Sequence, residues 1–126
     1  MKYLEYVPHN FKIDLLKQAT VFVFPSFYEG FGLPPLEAMS LGCPVIASKT
    51  ASLPEVCGEA AVYINPQRSE SIATALEKVL GSKAKREAMI KRGYEQVKKF
   101  SWERCARETL KVYEKVYQMA GKNKKK

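Results

Sequence analysis

The chain has 126 residues, of which 46% are hydrophobic and 27% charged, enough for one globular domain and no more. Its net charge of +8 is uneven, because residues 1–77 hold 5 Lys/Arg and 8 Asp/Glu whereas residues 78–126 hold 16 and 5. The longest apolar run, residues 19–25, is far shorter than the roughly 20 residues of a membrane span. The start also lacks the apolar stretch of a signal peptide.

The first elements alternate between strand and helix patterns. Residues 2–7 alternate loosely and predict a short strand, and the turn after it offers Asn10 as a helix cap. Apolar residues at helical spacing predict a helix over residues 11–19. Residues 20–24, TVFVF, are apolar, β-branched or aromatic, which is typical of a strand buried on both faces of a parallel sheet.

The next segment predicts a loop that leads into a helix. Gly30 and Gly32 mark the loop, and Pro34 and Pro35 suit a first helical turn, where their missing N–H groups are not needed. Gly42 is expected to end this helix.

Two more strands and a short helical turn follow. Residues 43–48 and residues 60–64 are short apolar segments that predict the second and third strands of the sheet. Between them, residues 54–57 predict a helical turn that is closed by Gly58.

The remaining pattern is helical. Three helices are predicted over residues 72–80, 84–98 and 100–119, and the last one is expected to use the stripe that begins at Trp102 for core or domain packing. We predict one unit over residues 1–99, then the long terminal helix, and a basic disordered tail over residues 120–126.

Strands that alternate with helices predict an α/β fold with a short, mainly parallel sheet, followed by three carboxyl-terminal helices. In such folds, ligands bind at the carboxyl ends of the strands. Residues 29–37 come directly after the most apolar strand and are therefore the first candidate for a site.

This segment offers an anion site between two carboxylates. Glu29 is expected at the mouth of the loop and Glu37 inside the first turn of the helix that follows. Each carboxylate accepts two hydrogen bonds at once and suits the neighbouring hydroxyls of a ribose or a hexose. Backbone amides near the helix start favour a diphosphate. These amides belong to Gly30, Phe31, Gly32 and Leu33.

Two other interpretations fit the same residues less well. A dinucleotide-binding fingerprint needs a third glycine, and this sequence has Pro35 at that position. The fingerprint also needs an acidic residue at the end of the next strand, and this sequence has none there. The other interpretation is a structural strand-to-helix turn with a buried or capping glutamate.

The spacing Glu29-x7-Glu37 within EGFGLPPLEAMSLGCPVIAS resembles the motif of retaining family 4 (group 1) glycosyltransferases, which have two Rossmann domains (the GT-B fold). The resemblance continues in YVPHNFKIDLLKQATVFVFPS, TASLPEVCGEAAVYINP and FSWERCARETLKVYEKV and covers about residues 3–118. It implies the carboxyl-terminal, donor-binding domain of a nucleotide-sugar-dependent hexosyltransferase.

The resemblance also implies residue roles. Glu37 would bind the ribose hydroxyls of the nucleotide, Glu29 would hold hydroxyls of the transferred sugar as the catalytic residue, and the amides of residues 30–33 would face the diphosphate. The sugar would pass to an acceptor hydroxyl with retention of configuration. The resemblance implies that no cofactor or metal is needed, and the sequence agrees in one respect, because its one aspartate, Asp14, cannot form an Asp-x-Asp motif.

Two departures from the family pattern matter. No amino-terminal, acceptor-binding domain is present in this sequence, and two strand–helix units with a diphosphate-neutralising Arg/Lys pair have no counterpart. In strand order 3-2-1-4-5-6, the missing units would leave residues 20–24 at an open edge, which favours self-association or a partner chain. We therefore expect an incomplete, inactive chain: a fragment, a truncated reading frame or half of a split enzyme.

Cysteines and charge give the remaining expectations. Cys43, Cys57 and Cys105 are odd in number with no Cys-x-x-Cys pair, so we predict free, mostly buried thiols and a cytoplasmic location. The basic residues after position 77 are interpreted as a solvated helix face. The alternative function is a non-catalytic interaction module, or weak contact with an anionic inner membrane surface, without nucleic acid binding.

Overall fold

The structure is a computed structural model that describes residues 1–123. The elements up to the third strand are α1 (His9–Gln18), β1 (Phe22–Phe24), α2 (Leu33–Ser40), β2 (Val45–Ser48), α3 (Leu53–Cys57), a 3-10 turn (Gly58–Ala60) and β3 (Ala61–Ile64). The chain then forms three helices, α4 (Ser69–Leu80), α5 (Lys83–Val97) and α6 (Trp102–Asn123). This confirms the α/β class and the three carboxyl-terminal helices.

The sheet is parallel and has the order β1-β2-β3, so β2 is its centre. All four residues of β2 are completely buried. Val45 and Ala47 pack into the cluster formed with α1, α2 and α3, whereas Ile46 packs into the cluster formed with α4 and α5. Successive side chains of a strand point to opposite faces, so an uninterrupted apolar strand requires helices on both faces of the sheet.

The predicted strand at residues 2–7 is wrong. These residues have no strand structure, and Tyr3 and Tyr6 are 81% and 85% exposed. No other strand within residues 1–123 lies beside them, so a ladder cannot form. The predicted cap at Asn10 is also wrong, because α1 begins at His9 with Pro8 in the cap position, where the Pro8 carbonyl accepts the N–H of Lys12 at 2.9 Å.

Helix α6 does not pack into the core of this chain, so of the two predicted uses of its stripe only packing against another domain stays a prediction. Every residue from 101 to 120 is exposed, including Trp102 at 78%, so its apolar stripe does not pack against the described part of the chain. The helix runs to Asn123, four residues into the predicted tail, and residues 124–126 lie outside the described residues. No helix in residues 1–123 is both long and apolar enough to cross a bilayer.

The cysteines follow the prediction in two of three cases. Cys43 and Cys57 are buried, and burial raises the pKa of both thiols to about 11. Both therefore stay protonated near neutral pH, as unreactive core residues do. Cys105 is exposed because it lies on α6.

The cationic surface predicted on α5 is mostly present. Lys83, Lys91, Arg92, Lys98 and Lys99 are exposed, whereas Lys85 and Arg86 are half-buried. The guanidinium of Arg86 donates to the carbonyls of Val79 and Leu80 at 2.9 and 2.6 Å. It therefore satisfies carbonyls at the carboxyl-terminal end of α4, and because these partners are neutral it keeps its positive charge.

Strand β1 leaves one side of the sheet open. Within residues 1–123 it pairs only with β2, and the amide of Phe22 donates to the carbonyl of Pro44 at 2.8 Å. Because alternate residues of a parallel strand direct their backbone groups to opposite sides, the groups of Val23 point to the open edge.

We predict that the chain self-associates through this edge, with an average mass that rises with concentration in sedimentation equilibrium.

The substitution Val23→Pro tests the role of the edge. It removes an outward N–H without removing a ladder hydrogen bond, and should therefore abolish self-association while the monomer stays folded. Phe24→Pro is the matched control, since it removes an inward N–H and should unfold the sheet. A wild-type chain that is monomeric at all concentrations would show that the open edge of β1 does not mediate self-association.

Gly32 adopts a conformation that other residues avoid. Its φ is +106°, and a Cβ at this position would lie 2.7 Å from Cδ2 of Leu53. Gly30 differs, because a Cβ there would meet nothing within 4 Å.

We predict that Gly32→Ala lowers the free energy of unfolding by about 1–3 kcal/mol in urea denaturation. Gly30→Ala should change it by less than about 0.5 kcal/mol, and equal effects would contradict the assigned conformation.

Candidate functional site

The loop over residues 25–32 leaves the carboxyl end of β1 and enters α2. Gly32 occupies the cap position of α2 in a left-handed conformation, and Pro34 and Pro35 follow in the first turn. Since prolines have no N–H, the donors at this helix end come only from residues 30–33. None of these four amides donates to another group in the described chain, and of the four residues Gly32 is buried whereas Gly30, Phe31 and Leu33 are exposed.

A second loop, residues 49–52, holds the first one in place. It follows the neighbouring strand β2 and therefore lies at the same edge of the sheet. The hydroxyl of Ser52 lies 2.8 Å from the carbonyls of both Glu29 and Phe31, and that of Thr50 donates to the carbonyl of Ser26 at 3.3 Å. These contacts use three carbonyls of the first loop and none of its amides.

Ala51 marks strain in this second loop. It has a φ of +47°, which is uncommon for a residue with a side chain. The sequence pattern does not single out Thr50 or Ser52, because their role depends on contacts with residues more than 20 positions away. The structure shows both as supports of the loop that carries Glu29.

Glu29 lies partly buried within the first loop. Ser26 donates its hydroxyl to Oε1 of Glu29 at 2.8 Å, which agrees with the expectation that Ser26 supports the loop. A neutral donor fixes the carboxylate without cancelling its charge, because a hydroxyl carries no compensating charge. Glu29 is therefore a fixed negative group beside the amides of residues 30–33.

Glu37 has a different environment. It is the fifth residue of α2, one turn beyond the loop, and not in the first turn as predicted. Its Oε2 lies 2.8 Å from Nζ of Lys12 on α1, and the two side chains are 41% and 40% exposed. The pair borders a cavity of about 190 Å³ that is also lined by His9 and Leu16. The sequence interpretation placed His9 at the surface and missed Lys12, because no spacing rule links residues 25 positions apart.

Phe31 contributes through its backbone. Its ring packs edge-on against Phe100, with 5.7 Å between ring centroids, so the side chain points to the connection between α5 and α6. This contact holds the loop against the connection between α5 and α6, while the Phe31 residue stays 44% exposed.

A second, larger cavity of about 650 Å³ lies beside α5 but does not have the character of a site. Its walls mix three carboxylates with the basic residues Lys91, Arg92 and Lys99, so no charge is favoured. Gln96, its buried amide, already donates to the carbonyl of Val56 and accepts from Lys99. In residues 1–123, no three His, Cys, Asp or Glu side chains cluster as metal ligands would.

The comparisons with known proteins agree on one family. Residues 1–96 match the family described as glycosyl transferases group 1. The chain is 45% identical over 113 residues to O-antigen chain mannosyltransferase B of Escherichia coli, covering 90% of this chain and 30% of that protein. It is 39% identical over 105 residues to the MMP alpha-(1->4)-mannosyltransferase of Mycolicibacterium hassiacum, covering 80% and 26%.

A solved structure gives the same result. Sucrose-phosphate synthase from Thermosynechococcus elongatus superimposes with a TM-score of 0.81 at 30% identity, over 94% of this chain and 30% of that one. The chain thus spans about 30% of the length of these relatives. On the match of residues 1–96, the chain belongs to the group 1 glycosyltransferase family.

Proposed function

We propose that this chain binds the nucleotide-sugar donor of a retaining glycosyltransferase that transfers a hexose to an acceptor hydroxyl. The observation that carries the proposal is the set of four amides at residues 30–33, which have no partner in the described chain and lie between Glu29 and α2. Unpaired amides at a helix start, together with the helix dipole, favour an anion such as the diphosphate of the donor.

In this proposal the two carboxylates bind different parts of the donor. Glu37, one turn along α2, accepts hydrogen bonds from the ribose hydroxyls, which do not change during the reaction. Glu29, beside the loop amides, accepts hydrogen bonds from the hexose. Positive charge develops near the anomeric carbon in the transition state, and a fixed carboxylate nearby stabilises that charge.

We propose mannose as the transferred hexose. The Escherichia coli and Mycolicibacterium hassiacum relatives are both named as mannosyltransferases, and both cover at least 80% of this chain. GDP-mannose is therefore the first donor to test, with UDP-glucose as the comparison. In keeping with the sequence expectation, the proposal assigns charge neutralisation to the loop amides rather than to a metal ion.

The prediction for Glu37 concerns binding. Glu37→Gln should weaken GDP and GDP-mannose binding alike by about ten- to a hundredfold, because a hydrogen bond to a charged group contributes roughly 1.5–3 kcal/mol. Isothermal titration calorimetry on the 126-residue chain measures both affinities. Glu70→Gln, an exposed carboxylate on α4, is the control and should change neither.

The prediction for Glu29 separates sugar from nucleotide. Glu29→Gln should weaken GDP-mannose binding while GDP affinity stays within about twofold of wild type. In a transfer-competent enzyme that contains this domain, it should lower kcat more than it raises KM, since its interaction strengthens in the transition state. If neither Glu29→Gln nor Glu37→Gln alters binding, both glutamates are structural and the donor site lies elsewhere.

A further inference from the structure

Lys12 is the cation nearest to a predicted donor-binding group, and it comes from outside the motif. It lies on α1, 25 residues before Glu37, and its Nζ is 2.8 Å from Oε2 of Glu37. The backbone of Lys12 is itself fixed, since its N–H donates to the carbonyl of Pro8 at 2.9 Å. Helix α1 is anchored to the core by Leu16, which is buried against α2. The ion pair therefore joins two elements whose relative position is already set.

The pair is a weak stabiliser of the fold. Both side chains are about 40% exposed, and ion pairs at that exposure contribute little to folding because water screens the attraction. What the pair does provide is orientation. A glutamate side chain has three rotatable bonds and is otherwise distributed among several rotamers, so an ammonium at 2.8 Å selects one carboxylate position.

The ion pair leaves the Glu37 carboxylate able to accept further hydrogen bonds. The ion pair uses Oε2, and no hydrogen bond from the described residues 1–123 reaches Oε1 of Glu37. An ionised carboxylate has about four lone-pair sites, so one bond to Lys12 leaves room for two hydroxyl donors. Both members of the pair line the cavity of about 190 Å³ between α1 and α2.

We infer that Lys12 is a positioning residue for the donor: it holds the Glu37 carboxylate in the rotamer that accepts the two ribose hydroxyls. The inference rests on the proposed function, because it needs a ribose at Glu37. Lys12 acts through Glu37 rather than on the diphosphate, since its ammonium is bound to a group about 6 Å along α2 from the amide of Leu33.

The test uses paired ligands and calorimetry on the 126-residue chain. GDP and UDP are each compared with their 2′,3′-dideoxy analogues, which retain base and diphosphate but lack the two hydroxyls. Lys12→Met should weaken binding of GDP or UDP by about three- to tenfold, in line with the rotamer freedom that the carboxylate regains. It should weaken the dideoxy analogue by less than about twofold.

Three further variants make the result specific. Lys12→Arg keeps the charge and the reach, and should restore at least half of the lost affinity. In a Glu37→Gln background, Lys12→Met should have no additional effect. Lys98→Met breaks the pair of Lys98 with Glu95 on α5, at 2.7 Å and 68% and 65% exposed, and serves as the matched surface control. It should leave all affinities unchanged.

The outcomes that overturn the inference are distinct. An equal loss for GDP and its dideoxy analogue would mean that Lys12 acts on the phosphates, and tighter binding by Lys12→Met would mean that Lys12 competes with the ribose. If the wild-type chain binds nucleotide and Lys12→Met binds it equally, Lys12 has no positioning role. If neither the wild-type chain nor any variant binds GDP or UDP, the proposed function fails, and the inference fails with it.

Discussion

The structure depends on the complete burial of β2. Its four residues have no solvent exposure, which is possible only if helices cover both faces and other strands cover both edges. The parallel ladder with β1 and β3 meets this need and brings the carboxyl ends of β1 and β2 to the same edge. The loops over residues 25–32 and 49–52 are therefore neighbours by topology. Hydroxyl contacts from Thr50 and Ser52 then hold three carbonyls of the first loop.

The loop before α2 shows how composition leaves backbone donors without partners at a helix start. Gly32 permits the left-handed turn, and the two prolines begin the helix without adding donors of their own. The unpaired amides are consequently concentrated in four successive residues, 30–33, instead of being spread over the first helical turn. Gly32 also fits closely against Leu53, so the turn and the core of α3 depend on each other.

Local pattern predicted the elements that bury apolar groups at short range. The strands at Phe22–Phe24, Val45–Ser48 and Ala61–Ile64 all lie within the predicted segments, because each is a dense apolar run between turn residues. The same reasoning failed where the outcome depends on distant partners. Within residues 1–123, residues 2–7 have a strand-like pattern but no neighbouring strand, and the stripe of α6 has helical spacing but no surface to cover it. The Lys12–Glu37 pair was unpredictable for the same reason, since only the tertiary fold brings these residues together.

The two glutamates differ in the charge of their hydrogen-bond partners. Ser26 holds Glu29 through a neutral hydroxyl, so the full negative charge remains at the loop. Lys12 holds Glu37 through an ammonium, so that carboxylate keeps its acceptor oxygens while its charge is largely compensated. If the donor binds as proposed, a neutral ribose needs acceptors and not charge, whereas a transition state that gains positive charge at the anomeric carbon needs charge as well. The different partners thus assign the reacting sugar to Glu29 and the unchanging ribose to Glu37, independently of their order in the sequence.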